Sequence, residues 1–318
     1  TRRPHGAWLA ALLLATACGA KRPPPVPQGP PQPPWIRKID PAKPLGRREL
    51  AIRWYGTATF VVRTAKATLV IDPFFTREPL SKLLFGKARP RPETWPRLPM
   101  PHAILVGHAH YDHFLDGPSL ASQTGATLYA SDEALRVARA EGTPESLLRP
   151  IAGGDRLVAG DMEIEVVESK HSDMATQFLV DGPMAASPAI PMGFLDYKTG
   201  TVFDFLIHWR GRTIAHIDSA QIVDENLAGR RADVALLALS GWTWTPKLFE
   251  RVGKAIEPEA LIPMHHDDFF RPYKEGFVEG PVAKLGKAYD GIRAAMPETA
   301  ILPIDFFQEY RLDAVETP

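Results

Sequence analysis

Residues 108–113 read HAHYDH and place four candidate metal ligands within six positions: His108, His110, Asp112 and His113. The run comes just after an apolar stretch, residues 103–106 (AILV), that is typical of a buried strand. His108 and His110 point to the same side of an extended backbone because they are two residues apart. Imidazole and carboxylate together suit zinc, iron or manganese. The sequence therefore predicts a metal site where this strand ends.

Three further candidate ligands come at the ends of other apolar stretches. His171 follows residues 164–170 (IEVVESK), Asp218 follows residues 213–217 (TIAHI), and His265 follows residues 260–264 (ALIPM). A lone histidine or aspartate at a strand end also fits an ordinary structural role. Strand ends gather at one edge of an α/β sheet, however, and ligand sites form there. Together with the six-residue run, these positions supply seven ligands, enough for two metal ions.

The pattern of apolar and polar residues predicts two sets of strands with helices between them. Residues 247–256 and 282–296 have helical spacing, as do residues 132–141. Predicted strands, single or paired, cover residues 52–64, 67–75, 103–106, 127–130, 157–169, 201–217, 234–239, 260–264 and 301–304. This order indicates an α/β protein in which helices cover two sheets.

The H-x-H-x-D-H run and the order of the later ligands resemble the metallo-β-lactamase superfamily. The resemblance covers about residues 49–312 and implies an αββα sandwich of two mixed sheets flanked by helices. Residues 54–60 (WYGTATF), Asp72-Pro73 and the segment around His265 resemble one branch, which contains the L-ascorbate-6-phosphate lactonases and the phospholipase D that hydrolyses N-acyl phosphatidylethanolamines. Two departures leave the substrate open: Ile217 stands where glycine usually precedes the bridging aspartate, and residues 182–193 form an apolar insertion.

The resemblance also assigns roles to individual residues. It implies that His108, His110 and His171 hold one metal, that Asp112, His113 and His265 hold a second, and that Asp218 bridges them. Asp72 resembles an aspartate that orients a ligand imidazole, although it equally fits a turn residue before Pro73. Asp112 is also a candidate for proton transfer. His266 is either a catalytic group that polarises the substrate or an exposed neighbour of His265, since in an extended strand only one of the two faces the metals.

These residues predict a metal-dependent hydrolase. A hydroxide held between two divalent ions, zinc or else manganese or iron, is expected to cleave an ester, lactone, amide or phosphodiester bond. The alternatives are an inactive, surface-anchored protein that binds metal or ligand, and a metal-dependent nuclease. Lys plus Arg and Asp plus Glu are both 37, so no general basic footprint for nucleic acid exists, and the expected partner is a small-molecule or lipid substrate. The oligomeric state is open.

Six aromatic residues close to His265 in sequence fit either core packing or an apolar substrate mouth: Trp242, Trp244, Phe249, Phe269, Phe270 and Tyr273. The single cysteine, Cys18, excludes a disulfide framework and a Cys-rich zinc module.

The beginning of the chain predicts export. A basic start and an apolar run over residues 7–17 are typical of a signal peptide, assigned to residues 1–17. Cys18 is then expected to be the lipid-attachment residue of a bacterial lipoprotein, although a chance cysteine after an ordinary signal peptide fits as well. Residues 18–48 are predicted to be a Pro-rich linker and residues 49–318 the catalytic domain. We expect a lipid-anchored protein of the bacterial cell envelope, at the outer membrane and facing the periplasm or the surface.

Overall fold

The computed structural model describes residues 22–174 and 177–316. Within these residues the strands are β1 (Ile36–Ile39), β2 (Glu49–Trp54), β3 (Phe60–Arg63), β4 (Thr68–Ile71), β5 (Ala103–Leu105), β6 (Thr127–Ala130), β7 (Leu148–Pro150), β8 (Arg156–Ala159), β9 (Met162–Ser169), β10 (Val202–Trp209), β11 (Arg212–Ile217), β12 (Val234–Ala238), β13 (Ala260–Met264), β14 (Ala300–Ile301) and β15 (Glu309–Asp313). The α-helices of the same residues are α1 (Leu80–Phe85), α2 (Tyr111–Phe114), α3 (Gly117–Thr124), α4 (Asp132–Ala140), α5 (Asp224–Leu227), α6 (Leu248–Ile256) and α7 (Leu285–Ala295). Short 3-10 turns lie at Pro92–Thr94, Glu145–Leu147, Gln177–Leu179, Phe194–Asp196, Trp242–Trp244 and Tyr273–Glu275.

The strands form two mixed sheets. The first has the order β1-β15-β2-β3-β4-β5-β6-β7, and the second has the order β14-β13-β12-β11-β10-β9-β8. Pairs from β4 to β7 and from β11 to β14 are parallel, whereas the remaining pairs are antiparallel. With helices packed on the outer faces, this is the predicted αββα sandwich, and the fold expectation is confirmed.

Apolar side chains point alternately to the two faces of the first sheet and belong to two separate core clusters. Phe60 and Val62 of β3 join the apolar cluster that lies between the sheets and continues to α6 and α7. Val61 of the same strand belongs to a second cluster beneath α2, α3 and α4 on the outer face of the first sheet. Successive side chains of a strand point to opposite faces, so the apolar runs of the sequence bury both faces of this sheet.

Three sequence expectations about element boundaries are corrected. The prediction of a linker over residues 18–48 is wrong for Ile36–Ile39, because this proline-free stretch pairs with β15, and Ile36 is fully buried. The sequence also failed to predict β15 as a strand, and β14 is shorter than the predicted strand 301–304. The predicted strand 52–64 is two strands, because Gly56 and Thr57 both have positive φ and turn the chain.

The signal peptide assigned to residues 1–17 and the lipid-attachment residue Cys18 lie outside the described residues. Within residues 22–174 and 177–316, none of the helices combines the length and hydrophobicity that a transmembrane span requires.

Candidate metal centre

The candidate ligands lie where five strands end at one edge of the sandwich. In the first sheet β4 and β5 run parallel and lead into Asp72 and the HAHYDH run. In the second sheet β9, β11 and β13 all run in the same direction and lead into His171, Asp218 and His265. The ends of the two sheets therefore bring together residues that are distant in sequence.

Gly107 allows the two sheets to approach each other closely. A Cβ atom added at Gly107 would lie 2.2 Å from Asp218 Oδ1, so the Asp218 carboxylate occupies the space that a side chain would need. The Gly107 N–H donates to Asp72 Oδ1 at 2.6 Å. A side chain at position 107 would displace the Asp218 carboxylate from His108 and His113.

The first group of candidate ligands is His108, His110 and His171. Their ring centroids are 4.5–5.0 Å apart, and their candidate ligand atoms lie within 4.8 Å of one another. His108 Nε2 lies 2.9 Å from His110 Nδ1. On its far side, His110 Nε2 lies 2.8 Å from the Thr199 hydroxyl.

The second group is Asp112, His113 and His265, whose candidate ligand atoms also lie within 4.8 Å of one another. The helix α2 presents Asp112 and His113, and His265 Nε2 lies 3.1 Å from Asp112 Oδ2. Asp218 lies between the two groups: its Oδ2 contacts His108 Nδ1, and its Oδ1 is 3.2 Å from His113 Nδ1. Asp218 is thus within reach of both groups.

The protonation states of four of these side chains, His108, His110, His171 and Asp112, suit metal binding. Burial, and then the neighbouring imidazoles, lower the pKa of His108 and His110, and burial lowers the pKa of His171 to about 3. These rings are therefore neutral at physiological pH, the form that binds a metal ion. Burial opposes the charge of Asp112, but His265 and His113 outweigh it and lower the pKa of this carboxyl. The donors are buried imidazoles and ionised carboxylates that face one another, so they fit divalent transition metals.

Asp218 and Asp72 act on the protonation of His113. Burial alone would lower the pKa of His113, but Asp218 and Asp72 outweigh it and raise this pKa well above its usual value. Asp72 Oδ2 lies 3.0 Å from His113 Nδ1, and Asp72 is fully buried with φ +48°. Asp72 is therefore both the turn residue before Pro73 and a direct contact of a candidate ligand.

His266 does not join the cluster. The expectation of an extended backbone is wrong here, because His265 has φ +52° and its N–H donates to Thr57 O at 2.8 Å. The His266 ring stacks on Trp54 with centroids 4.7 Å apart, and the residue is only 1% exposed. It is not the exposed neighbour that the sequence suggested. Its absence from the lining of the cavity described below gives no support to the catalytic, substrate-polarising role.

Comparisons with known proteins agree with the fold that the structure shows. Residues 67–266 match the family model described as "Beta-lactamase superfamily domain". The chain belongs to the metallo-β-lactamase superfamily. A relative from Anaeromyxobacter dehalogenans is 31% identical over 237 residues, which cover 70% of this chain and 76% of the relative. Another from Myxococcus xanthus is 26% identical and covers 85% of this chain and 89% of the relative. Both are named as UPF0173 metal-dependent hydrolases.

Solved structures of the superfamily share the fold. Igni18, described as a metallo hydrolase from Ignicoccus hospitalis, has a TM-score of 0.53 at 15% identity, with 85% of this chain and all of that one covered. The metallo-β-lactamase fold protein YhfI of Bacillus subtilis has a TM-score of 0.51 at 14% identity and covers 83% of this chain and 99% of its own. These structures show the metallo-β-lactamase fold, and the relatives support a metal-dependent hydrolase. The branch suggested by the sequence stays a prediction.

A cavity of about 180 Å³ opens beside the two ligand groups. His110, His171, Asp112 and His265 line one side of it. The apolar part of its wall includes Leu179, Val180, Phe194, Phe269, Phe270 and Val282. Phe269 and Phe270 thus contribute to an apolar mouth, whereas Trp242 and Phe249 pack against each other, with ring centroids 4.9 Å apart.

Several residues that support the metallo-β-lactamase site were missed in the sequence. Thr199 follows the insertion and has no local signal, yet its hydroxyl contacts His110. Asp204, in the middle of β10, accepts the Asp218 N–H at 3.0 Å. Asp267 forms a buried ion pair with Arg77. Asp267 could have been noticed as an acidic residue two positions after a ligand, whereas its partner Arg77 is 190 residues away in sequence.

Proposed function

We propose that this protein is a dinuclear metallohydrolase that cleaves an ester, lactone, amide or phosphodiester bond. The observation that carries the proposal is the pair of three-residue donor groups with Asp218 between them, opening onto one cavity. His108, His110 and His171 are assigned to one ion, and Asp112, His113 and His265 to the other. Zinc suits this donor set, and manganese and iron are the alternatives.

Two divalent ions, when bound, lower the pKa of a water molecule and polarise the substrate oxygen. The side chains of the protein supply the positioning. Asp72 holds His113 through Nδ1, and Thr199 holds His110 through Nε2, so each imidazole keeps one ring orientation. Asp112 lines the cavity as an ionised carboxylate and is assigned the role of accepting a hydrogen bond from the attacking water, which steers the proton of that water.

The test is metal content and turnover measured side by side. Chelator-treated protein is reloaded with zinc, manganese or iron, and its metal content is determined by elemental analysis. Hydrolysis is then measured with a carboxylic ester, a lactone, an amide, bis-p-nitrophenyl phosphate and a single-stranded oligonucleotide. We expect about two ions per chain and metal-dependent hydrolysis of at least one substrate class.

Asp218→Ala should lower the occupancy of both ions, because the carboxylate faces both groups. Asp290→Ala is the matched control, since Asp290 is exposed on α7, far in sequence from every candidate ligand. Absence of metal after reloading would overturn the proposal. Full metal content without turnover of any substrate would favour the inactive binding protein.

We also propose that Cys18 carries a lipid and that the protein is held at the bacterial cell envelope. Support comes from the signal-like residues 1–17 and from the proline-rich segment that follows the cysteine.

A further inference from the structure

The residues that line the cavity indicate which chemical groups the substrate carries, in addition to the bond that is cleaved. Leu179 and Val180 lie on one segment of the wall, Phe269 and Phe270 on another, and Val282 on a third. Apolar side chains from separate segments thus converge beside the candidate ligands. Such a wall binds an apolar group because burial of that group removes it from water.

No lysine or arginine lines this cavity among residues 22–174 and 177–316. The acidic residues Asp267 and Asp268 line the cavity, and each forms an ion pair with an arginine that is not among the lining residues, Arg77 and Arg271 respectively. Outside the ligand groups, the described residues that line the cavity therefore offer an anionic substituent no positive side chain to offset its desolvation. Recognition of a phosphate or carboxylate group usually relies on arginine or lysine.

The volume of the cavity indicates how large a group it can enclose. An apolar protein cavity of about 150 Å³ holds a benzene molecule. At about 180 Å³, this cavity has room for a group of that size or slightly larger.

We propose that the substrate is an uncharged carboxylic ester, lactone or amide whose acyl group is apolar and about the size of benzene. This inference rests on the proposed function and selects among its four bond types. In the reaction, the oxygen of water forms a bond to the carbonyl carbon, the bond from that carbon to oxygen or nitrogen breaks, and the leaving atom takes up a proton. The acyl group lies against Phe269, Phe270 and Val282, and the carbonyl carbon lies toward the ligand groups.

The experiment uses metal-reloaded protein and a series of p-nitrophenyl esters: acetate, butyrate, hexanoate and octanoate. Each buried methylene is expected to raise kcat/KM about fourfold until the cavity is filled, after which kcat/KM levels off. The mono-p-nitrophenyl ester of succinic acid matches butyrate in chain length but carries a carboxylate. We expect its kcat/KM to be at least tenfold below that of butyrate, and that of bis-p-nitrophenyl phosphate to be lower still.

Val282 supplies a matched pair of variants, because it lies in the wall and is not among the candidate ligands. Val282→Lys should reduce kcat/KM for hexanoate about tenfold and raise it for the succinate ester. Val282→Leu keeps the wall apolar but fills part of the cavity, so kcat/KM should level off at a shorter acyl chain while the preference for butyrate over the succinate ester persists. Metal content and urea unfolding of both variants confirm that they are loaded and folded.

The outcomes separate the two proposals. Metal-dependent hydrolysis that favours the phosphodiester, or that is insensitive to acyl length, overturns the substrate class and leaves the hydrolase intact. Equal effects of Val282→Lys and Val282→Leu also overturn it. Loss of metal-dependent hydrolysis for every substrate would instead contradict the proposed function.

Discussion

Removing one partner of the buried ion pair between Arg77 and Asp267 should destabilise the protein strongly. The two side chains are 1% and 0% exposed. The Arg77 guanidinium carbon also lies 4.8 Å from the Tyr273 ring centroid and 4.9 Å from that of Phe306. On the other side, Asp267 Oδ1 accepts the Thr57 N–H at 2.8 Å. Because Thr57 O in turn accepts the His265 N–H, the pair supports the turn that presents a candidate ligand.

The expected loss of folding stability follows from the buried charge that each substitution leaves without a partner. Asp267→Asn keeps the size and the acceptor for Thr57 but leaves a buried cation, and breaking a buried pair costs about 3–5 kcal/mol. The aromatic rings still attract the cation, so we expect the lower end, about 3 kcal/mol. Arg77→Met leaves a buried carboxylate and should cost a similar amount at pH 8. The double variant removes both charges and should lose about 3 kcal/mol in total, which corresponds to a coupling energy of about 3 kcal/mol.

The pH dependence distinguishes the two single variants. Arg77 outweighs the effect of burial and lowers the pKa of Asp267 in the parent protein. Without Arg77, burial raises the pKa of Asp267 above its unfolded value, so Arg77→Met should regain stability as the pH falls from 8 to 5. Asp267→Asn should not, because an amide does not titrate.

The assay is urea unfolding at fixed metal concentration, since bound metal adds to apparent stability. Asp290→Ala controls for loss of an exposed carboxylate. Additive effects in the double variant, or single variants within 1 kcal/mol of the parent, would refute the reasoning.

Three further predictions concern other parts of the chain. His265→Phe should remove one metal ion and lower activity at least 100-fold. His266→Phe should keep the stacking on Trp54, full metal content and activity within threefold of the parent. Elemental analysis of this matched pair checks the assignment of the ligand, and metal loss in the His266 variant alone would reverse it. Burial raises the pKa of Glu141 to about 7, so the folded state holds its proton more tightly than the unfolded state and stability falls as the pH rises from about 4.5 through 7. Glu141→Gln should therefore gain about 1–2 kcal/mol at pH 8, after allowance for solvent screening, and a parallel pH profile in both proteins would contradict this. Cys18→Ser should release the protein from the membrane fraction of a bacterial host, and recovery of the unaltered protein in the cytosol would show that the export signal was misread.

Part of the site could be predicted because its residues form patterns between near neighbours in the sequence. The HAHYDH run concentrates ligands within six residues, and His171, Asp218 and His265 could be found because each follows an apolar strand. The contacts that support them depend on pairs far apart in sequence. Thr199 reaches His110 across 89 residues, and no local pattern indicates such a partner.

The errors in the fold have similar physical causes. β1 is a strand because it pairs with β15, and whether a segment forms a strand depends on such partners as much as on residue type. Since β15 is far away in sequence, no local pattern indicated the pairing. His266 was considered for catalysis because it is adjacent to His265, and an extended strand was assumed through both residues. His265 instead has a left-handed conformation, and its N–H donates to Thr57 O in the turn between β2 and β3. A partner so far away in sequence leaves no local pattern.

The distribution of ligands between the sheets has a consequence for stability. His108 and His110 come from the first sheet, and their group is completed by His171 from the second. The other group likewise combines Asp112 and His113 with His265 from the opposite sheet. A metal ion held by either group must therefore link the two sheets at the edge where the ligand groups lie. Because an unfolded chain does not bring these ligands together, metal binding and the packing of the two sheets are thermodynamically linked, and removal of metal should loosen the sandwich at this edge first.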